Sequence, residues 1–318
     1  MAVIAAILTA ASREPVPRTE EPIAPIPVVA PVAPAKVRLG ERLFRDVRLS
    51  QDNKLACASC HQLKQGGDDG QVRSIGADGR PLDFNTPTIF NAVLSFRLNW
   101  RGNFRTPEEQ AEAVLLDPRL MGMNWPVLIE RLAADQTYRD AFDSAYGQPP
   151  ARPLVLDALA AFERSLVTPR APFDRYLGGE SNAIGPEAKL GYELFKSHGC
   201  VACHQGANVG GNLFQRFGIF GDPVDVGPPT RADLGRFALT GKEEDRSVFR
   251  VPSLRNVAET APYFHDGRAA TLEQAVEEMA RVQLGRVLAP RESDLIVRFL
   301  HTLSGEYPSM AGQGAVQP

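Results

Sequence analysis

The sequence predicts a mainly α-helical protein built as two similarly patterned domains joined by a helical linker and long loops. Three observations carry this prediction. Apolar residues recur at helical spacing ahead of each of two Cys-x-x-Cys-His motifs, at Val37, Leu39, Leu43 and Phe44 and again at Leu190, Leu194 and Phe195. Both stretches share one grammar, Leu39-Gly40-x-x-Leu43-Phe44 and Leu190-Gly191-x-x-Leu194-Phe195, which marks an internal duplication. Between them, Leu154 to Leu166 reads as an amphipathic helix stopped by Pro169 and Pro172.

Taken in chain order, residues 1–13 open with the apolar run MAVIAAILTAAS, well short of the roughly 18 to 20 residues that span a bilayer. A secretion signal remnant is one reading. The missing basic segment leaves a frayed N-terminus as the other. Residues 14–35, rich in Pro and Ala, predict an extended arm, because Pro fixes φ and donates no hydrogen bond. An N-terminal domain follows over 36–168, with further helices at 107–116 and 125–133, then a linker at 169–185. The C-terminal domain covers 186–304, with a helix over 271–283 capped by Thr271 and a closing helix over 292–303. Residues 205–250 read as long loops, and 305–318 as a flexible tail.

With 318 residues, 43% hydrophobic and 23% charged, the chain has the composition of a soluble globular protein rather than a disordered or membrane-spanning one. Its net charge is −3 and it has no long basic run, so nucleic acid is not an expected partner.

All four cysteines fall in Cys57-Ala-Ser-Cys60-His61 and Cys200-Val-Ala-Cys203-His204. Each motif places two thiols within one helical turn, followed at once by an imidazole. Two thiols can add to the two vinyl groups of a haem, and the adjacent histidine can reach its iron. A thioredoxin-like pair, a disulfide framework and a zinc site compete, but none requires a histidine directly after both pairs. The expectation is two cytochrome c-like domains, each with one covalently bound c-type haem. Such haem is attached outside the cytoplasm in bacteria, so a periplasmic location follows.

A sixth iron ligand is the next question, because a thioether raises the potential whereas an open position admits ligands. Met279, on the helix after the second motif, is the natural candidate, with ordinary core packing as the alternative.

These residues resemble the bacterial di-haem cytochrome c peroxidase family, which includes MauG-type enzymes. The resemblance runs from about residue 21 to 303, through LGERLFRDVRLSQDNKLACASCHQL, SIGADGR, NTPTIFNAV, NWRGNF, EEQAEAVLLDPRLMGM, AFERSLVTP, FRVPSLRNVAETAPYFHDG and TLEQAVEEMARVQLG. It implies that His61 ligates the peroxide-side haem, and that His204 and Met279 form the axial pair of an electron-transfer haem. Trp100 matches a tryptophan lying between the haems; read alone, it is equally a large core filler. Gln110 matches a distal glutamine. His265 matches a loop near the electron-transfer haem, within reach of a propionate. Asn85, Thr260 and Pro262 match an inter-domain calcium site, although Asn85 alone would be read only as a turn residue. The family further implies hydrogen peroxide as substrate, a small cytochrome c or cupredoxin as donor, and a homodimer. His198 and His301 are expected on helix surfaces.

Two departures stand out. Leu120 occupies the place of a distal glutamate, and leucine cannot move a proton between the peroxide oxygens. Ala77 stands where other members carry a histidine that blocks the first haem, with Asp78 nearby as a turn residue. Leu120 keeps open a non-enzymatic reading, a di-haem electron carrier or redox sensor. Met279 argues against a third, MauG-like oxidation of a partner protein.

Overall fold

The computed structural model describes residues 21–27, 32–221 and 230–308; the expected signal segment at 1–13 lies outside them. Eleven α-helices form among these residues: α1 (Pro34–Arg45), α2 (Cys57–Cys60), α3 (Pro107–Leu116), α4 (Trp125–Ala134), α5 (Gln136–Tyr146), α6 (Arg152–Ser165), α7 (Pro172–Leu177), α8 (Pro186–Ser197), α9 (Phe237–Thr240), α10 (Leu272–Leu284) and α11 (Pro290–His301). Two three-residue strands, β1 (Phe214–Arg216) and β2 (Val248–Arg250), pair antiparallel within the long stretch expected to be loop. None of the helices is long and apolar enough to cross a membrane.

The helix starts follow local chemistry. Thr106, Asn124 and Thr271 each accept a hydrogen bond from a first-turn N–H, and proline opens α1, α3, α6, α8 and α11, where a missing donor costs nothing. Helix α5 was not expected from sequence. Asp135 caps it, and it buries only Tyr138 and Phe142.

Two hydrophobic cores result. The first is built on Leu39, Leu43, Phe44, Leu128, Phe142, Leu159 and Phe162, the second on Tyr192, Phe195, Leu272, Ile296, Phe299 and Leu300. Each is organised by one helix crossing, α1 on α6 and α8 on α11. The duplicated glycine sits at both crossings. A Cβ added to Gly40 would lie 2.0 Å from the Ala158 carbonyl oxygen, and one added to Gly191 would lie 1.9 Å from that of Leu295. Only a residue without a side chain lets the backbones approach this closely.

Segments expected to be peripheral turn out to be packed. In the arm, Ile23 and Ile26 are buried, and Ile23 joins the second core. Arg255, itself fully buried, donates to the Ala24 and Ala207 carbonyls and pairs with Asp174 at 2.7 Å. The linker contributes Phe173, Tyr176, Leu177 and Ile184 to the same core. Of the tail, the described residues 305–308 are anchored: Gly305 N–H donates to Asn256 Oδ1, Glu306 N–H to the Pro169 carbonyl, and Tyr307 packs edge-on against Phe90.

Candidate active site

Helix α2 and the turn after it present His61, and a 3-10 turn at Cys200–Ala202 presents His204. In both, the imidazole Nδ1 faces a backbone carbonyl, that of Gly67 at 3.1 Å for His61 and of Val209 at 3.2 Å for His204. Burial pushes both imidazoles below their ordinary range, His204 to about 4. Each ring is therefore neutral with Nδ1–H donating, which leaves the Nε2 lone pair for a metal. No disulfide joins any of the four cysteines. Burial, helped in Cys57 by the Glu163 charge, raises Cys57 to about 12, and burial raises Cys200 to about 11. A redox-active Cys-x-x-Cys pair has a lowered thiol pKa instead.

One cavity joins the two motifs. About 300 Å³ in volume, it is lined by both histidines, Cys200, Cys203, Trp100, Gln110, His265 and Met279. At the second motif both thiols and the histidine open on this space, and at the first motif His61 does, with Cys57 and Cys60 on the adjoining helix α2; the two sets fit a covalent haem at each motif. Half-buried Met279 projects from α10 into the same space.

Trp100 is held from both sides. Its Nε1–H donates to the Asn85 carbonyl at 2.8 Å, and its own carbonyl accepts from the Arg250 N–H at 2.9 Å. His265 is buried, stacked on Phe249 at 4.4 Å and edge-on to Trp100 at 6.4 Å. Its Nε2 is 2.8 Å from Asp233 Oδ1, a contact that lowers the Asp233 pKa, so only Nδ1 is left for any group in the cavity. Asp233, His265 and Asp266 cluster closely enough for a cation, but Arg268 already lies 2.8 Å from Asp266 and 3.5 Å from Asp233.

Asn85, Thr260 and Pro262 each line the cavity. The Asn85 side-chain amide donates to the Gln71 carbonyl at 2.9 Å, which fixes the amide and leaves Oδ1 as an acceptor.

Three lining residues were not singled out from sequence. Glu163 and Asp68 are buried carboxyls raised to about 8 and about 7, chiefly by desolvation. Arg250 is a buried cation. Only Glu163 left a local signal: it interrupts the apolar face of α6 seven residues after Leu156. Leu120 is half-buried and does not line the cavity, and neither does Ala77. His198 corrects the surface expectation. Its side chain is 14% exposed and sits 3.3 Å from Glu292, because α8 ends against the start of α11. His301 is exposed as expected.

A model of the di-haem cytochrome c peroxidase family matches residues 34–182. The chain is 41% identical over 289 residues to the cytochrome c551 peroxidase of Nitrosomonas europaea, covering 91% of this chain and 85% of that one. The chain belongs to the di-haem cytochrome c peroxidase family. The cytochrome c peroxidase Ccp of Escherichia coli is 42% identical over 288 residues, 90% of this chain, which spans 62% of that longer protein. Among solved structures, a MauG-like protein associated with microbial copper homeostasis superposes with a TM-score of 0.79 at 28% identity, covering 91% and 94% of the two chains. Membership of the family agrees with the mainly helical architecture and with two cysteine-histidine motifs facing one cavity.

Proposed function

We propose that this chain is a periplasmic di-haem cytochrome c peroxidase. It reduces one hydrogen peroxide to two waters, consuming two protons and two electrons delivered by a small cytochrome c or cupredoxin. The observation that carries this reading is the single cavity lined by His61, Trp100, His204 and Met279.

Bound haem supplies the iron at which the peroxide O–O bond is cleaved and the redox centre that receives the donor's electrons. Cys57 and Cys60 would hold one haem by thioethers and Cys200 and Cys203 the other. The His61 Nε2 would ligate the first iron, and the His204 Nε2 with the Met279 sulfur the second. Gln110 orients peroxide by hydrogen bonding. Trp100, clamped between the Asn85 and Arg250 backbones, offers an aromatic step between the two sites. Glu163 is neutral near pH 7 in this cavity and so carries a proton. Calcium would take Asn85 Oδ1 with the Thr260 and Pro262 carbonyls, and the nearby buried Asp68 supplies charge that a cation would satisfy.

Leu120 favours a second reading, a di-haem electron carrier or sensor that retains the fold without peroxide turnover. Steady-state peroxide consumption with a reduced small cytochrome separates the two. Donor oxidation at two electrons per peroxide supports the enzyme; two loaded haems that exchange electrons without consuming peroxide support the carrier. Oxidation of a partner protein's side chains instead would indicate MauG-like chemistry.

A further inference from the structure

Arg250 closes strand β2 and is only 7% exposed. Its guanidinium makes three contacts, all to neutral acceptors: Nε donates to the Asn99 carbonyl at 3.2 Å, and Nη1 lies 3.4 Å from both Ser95 Oγ and the Val251 carbonyl. Among the described residues no carboxylate pairs with it, and Nη2 has no acceptor. The charged neighbours on the elements packed around β2 are cations and acids already paired elsewhere. Arg216 stands on β1, Arg101 follows Trp100, and Arg236 donates its N–H to the Val248 carbonyl; Asp245 lies 3.7 Å from Arg236, and Asp233, whose carbonyl accepts from Ser247 Oγ, is paired with His265, the ring stacked on Phe249. Burial accordingly pulls the Arg250 guanidinium down to about 10, with no compensating charge.

A buried guanidinium without an anion is costly, and buried charges are as a rule paired. Arg250 lines the cavity, so its partner must be an anion that occupies the cavity. Haem carries two carboxylates, the propionates, and a planar guanidinium matches a carboxylate geometrically.

We infer that Arg250 is the anchor for a propionate of the haem attached at Cys200 and Cys203, held at the junction of the two domains. The assignment to the second haem follows the chain. Arg250 leads through Val251 to Pro252, whose carbonyl oxygen would be 2.1 Å from a Cβ added to Gly210, a position that is itself 3.3 Å from His204 Nδ1. The anchoring contacts at Ser95 and Asn99, by contrast, come from the first domain. A propionate held there sits beside Trp100, whose carbonyl accepts from the Arg250 N–H. Arg250 is thus a positioning residue that keeps the propionate ionised and favours the reduced state of its haem.

This inference rests on the di-haem reading, and the test separates the two. Holoprotein of the wild type, Arg250→Gln and Arg250→Lys is checked for two haems by the pyridine haemochrome. Each haem potential is then measured by spectroelectrochemistry between about pH 5 and pH 9. Resonance Raman in the propionate-bending region reports the contact directly. In the wild type the second-haem potential is expected to be nearly independent of pH. In Arg250→Gln the propionate pKa rises by about one to three units. The second-haem potential is then lower than wild type at high pH and climbs back as pH falls through the new pKa. Arg250→Lys keeps the charge and stays close to wild type. Fully loaded Arg250→Gln that titrates like wild type overturns the proposal. So does a shift confined to the first haem, or Arg250→Lys behaving like Arg250→Gln. Wild-type protein with fewer than two haems would instead sink the di-haem reading beneath it.

Discussion

Asn91 and Asn256 donate their side-chain amides to one hydroxyl, that of Thr168, at 2.7 and 3.0 Å. Both asparagines adopt the left-handed conformation, with φ of 58°, and both precede a short 3-10 turn. They are duplicate positions of the two halves, in PTIFNAV and PSLRNVA, and all three residues are buried. Thr168 therefore ties the two cores together at the point where their sequences repeat.

Replacing Thr168 with valine keeps the shape but removes the shared acceptor from two buried amides. Each orphaned donor costs about 1–3 kcal/mol. Denaturant or thermal unfolding of the holoprotein should show a loss of at least that size, with haem content unchanged. A stability within experimental error of wild type would show that the asparagines find other partners.

Gly191→Ala should damage the second core far more than an ordinary helix alanine, which normally stabilises relative to glycine. The added Cβ meets the Leu295 carbonyl at 1.9 Å, and backbone cannot move aside cheaply. Overpacking of this kind costs about 1–3 kcal/mol or more. Gly40→Ala, at 2.0 Å from the Ala158 carbonyl, should do the same in the first core. Far-ultraviolet melting of both variants checks this; a raised melting temperature in either would refute the close crossing there.

Met279→Ala should abolish the sulfur-to-iron charge-transfer band in the near infrared and lower the second-haem potential, because a thioether ligand favours the reduced iron. The spectrum of the oxidised holoprotein is the measurement. A persisting band would assign Met279 to packing alone.

Glu163 makes stability fall with rising pH. Burial and the Glu108 charge raise its carboxyl from an ordinary 4.5 to about 8. Below about pH 4.5 folded and unfolded chains both hold the proton, so the group is neutral to stability. Between 4.5 and 8 the folded chain keeps a proton that the unfolded chain releases, so stability is lost over that window. Glu163→Gln removes the effect. It should stabilise the protein by on the order of 3 kcal/mol at pH 7 and by nothing at pH 4, read from urea unfolding at both. An equal gain at both values would show that the carboxyl is not buried in its charged form's disfavour.

Local patterns made much of this protein legible from sequence. The two Cys-x-x-Cys-His motifs carry their chemistry in five consecutive residues, and α1, α3, α4, α6, α10 and α11 follow from apolar spacing with proline or capping residues at their starts. The duplicated Leu-Gly-x-x-Leu-Phe grammar already implied paired halves, because one glycine-mediated crossing organises each core. Tertiary structure alone decided the rest. Ile23 and Phe173 read as arm and linker, yet they are core, because the surface that buries them is made by α8 and α11 far along the chain. Asp68 and Arg250 look like ordinary loop charges until the fold encloses them. Their chemistry comes from desolvation, a property of the surrounding shell and not of neighbouring residues in sequence.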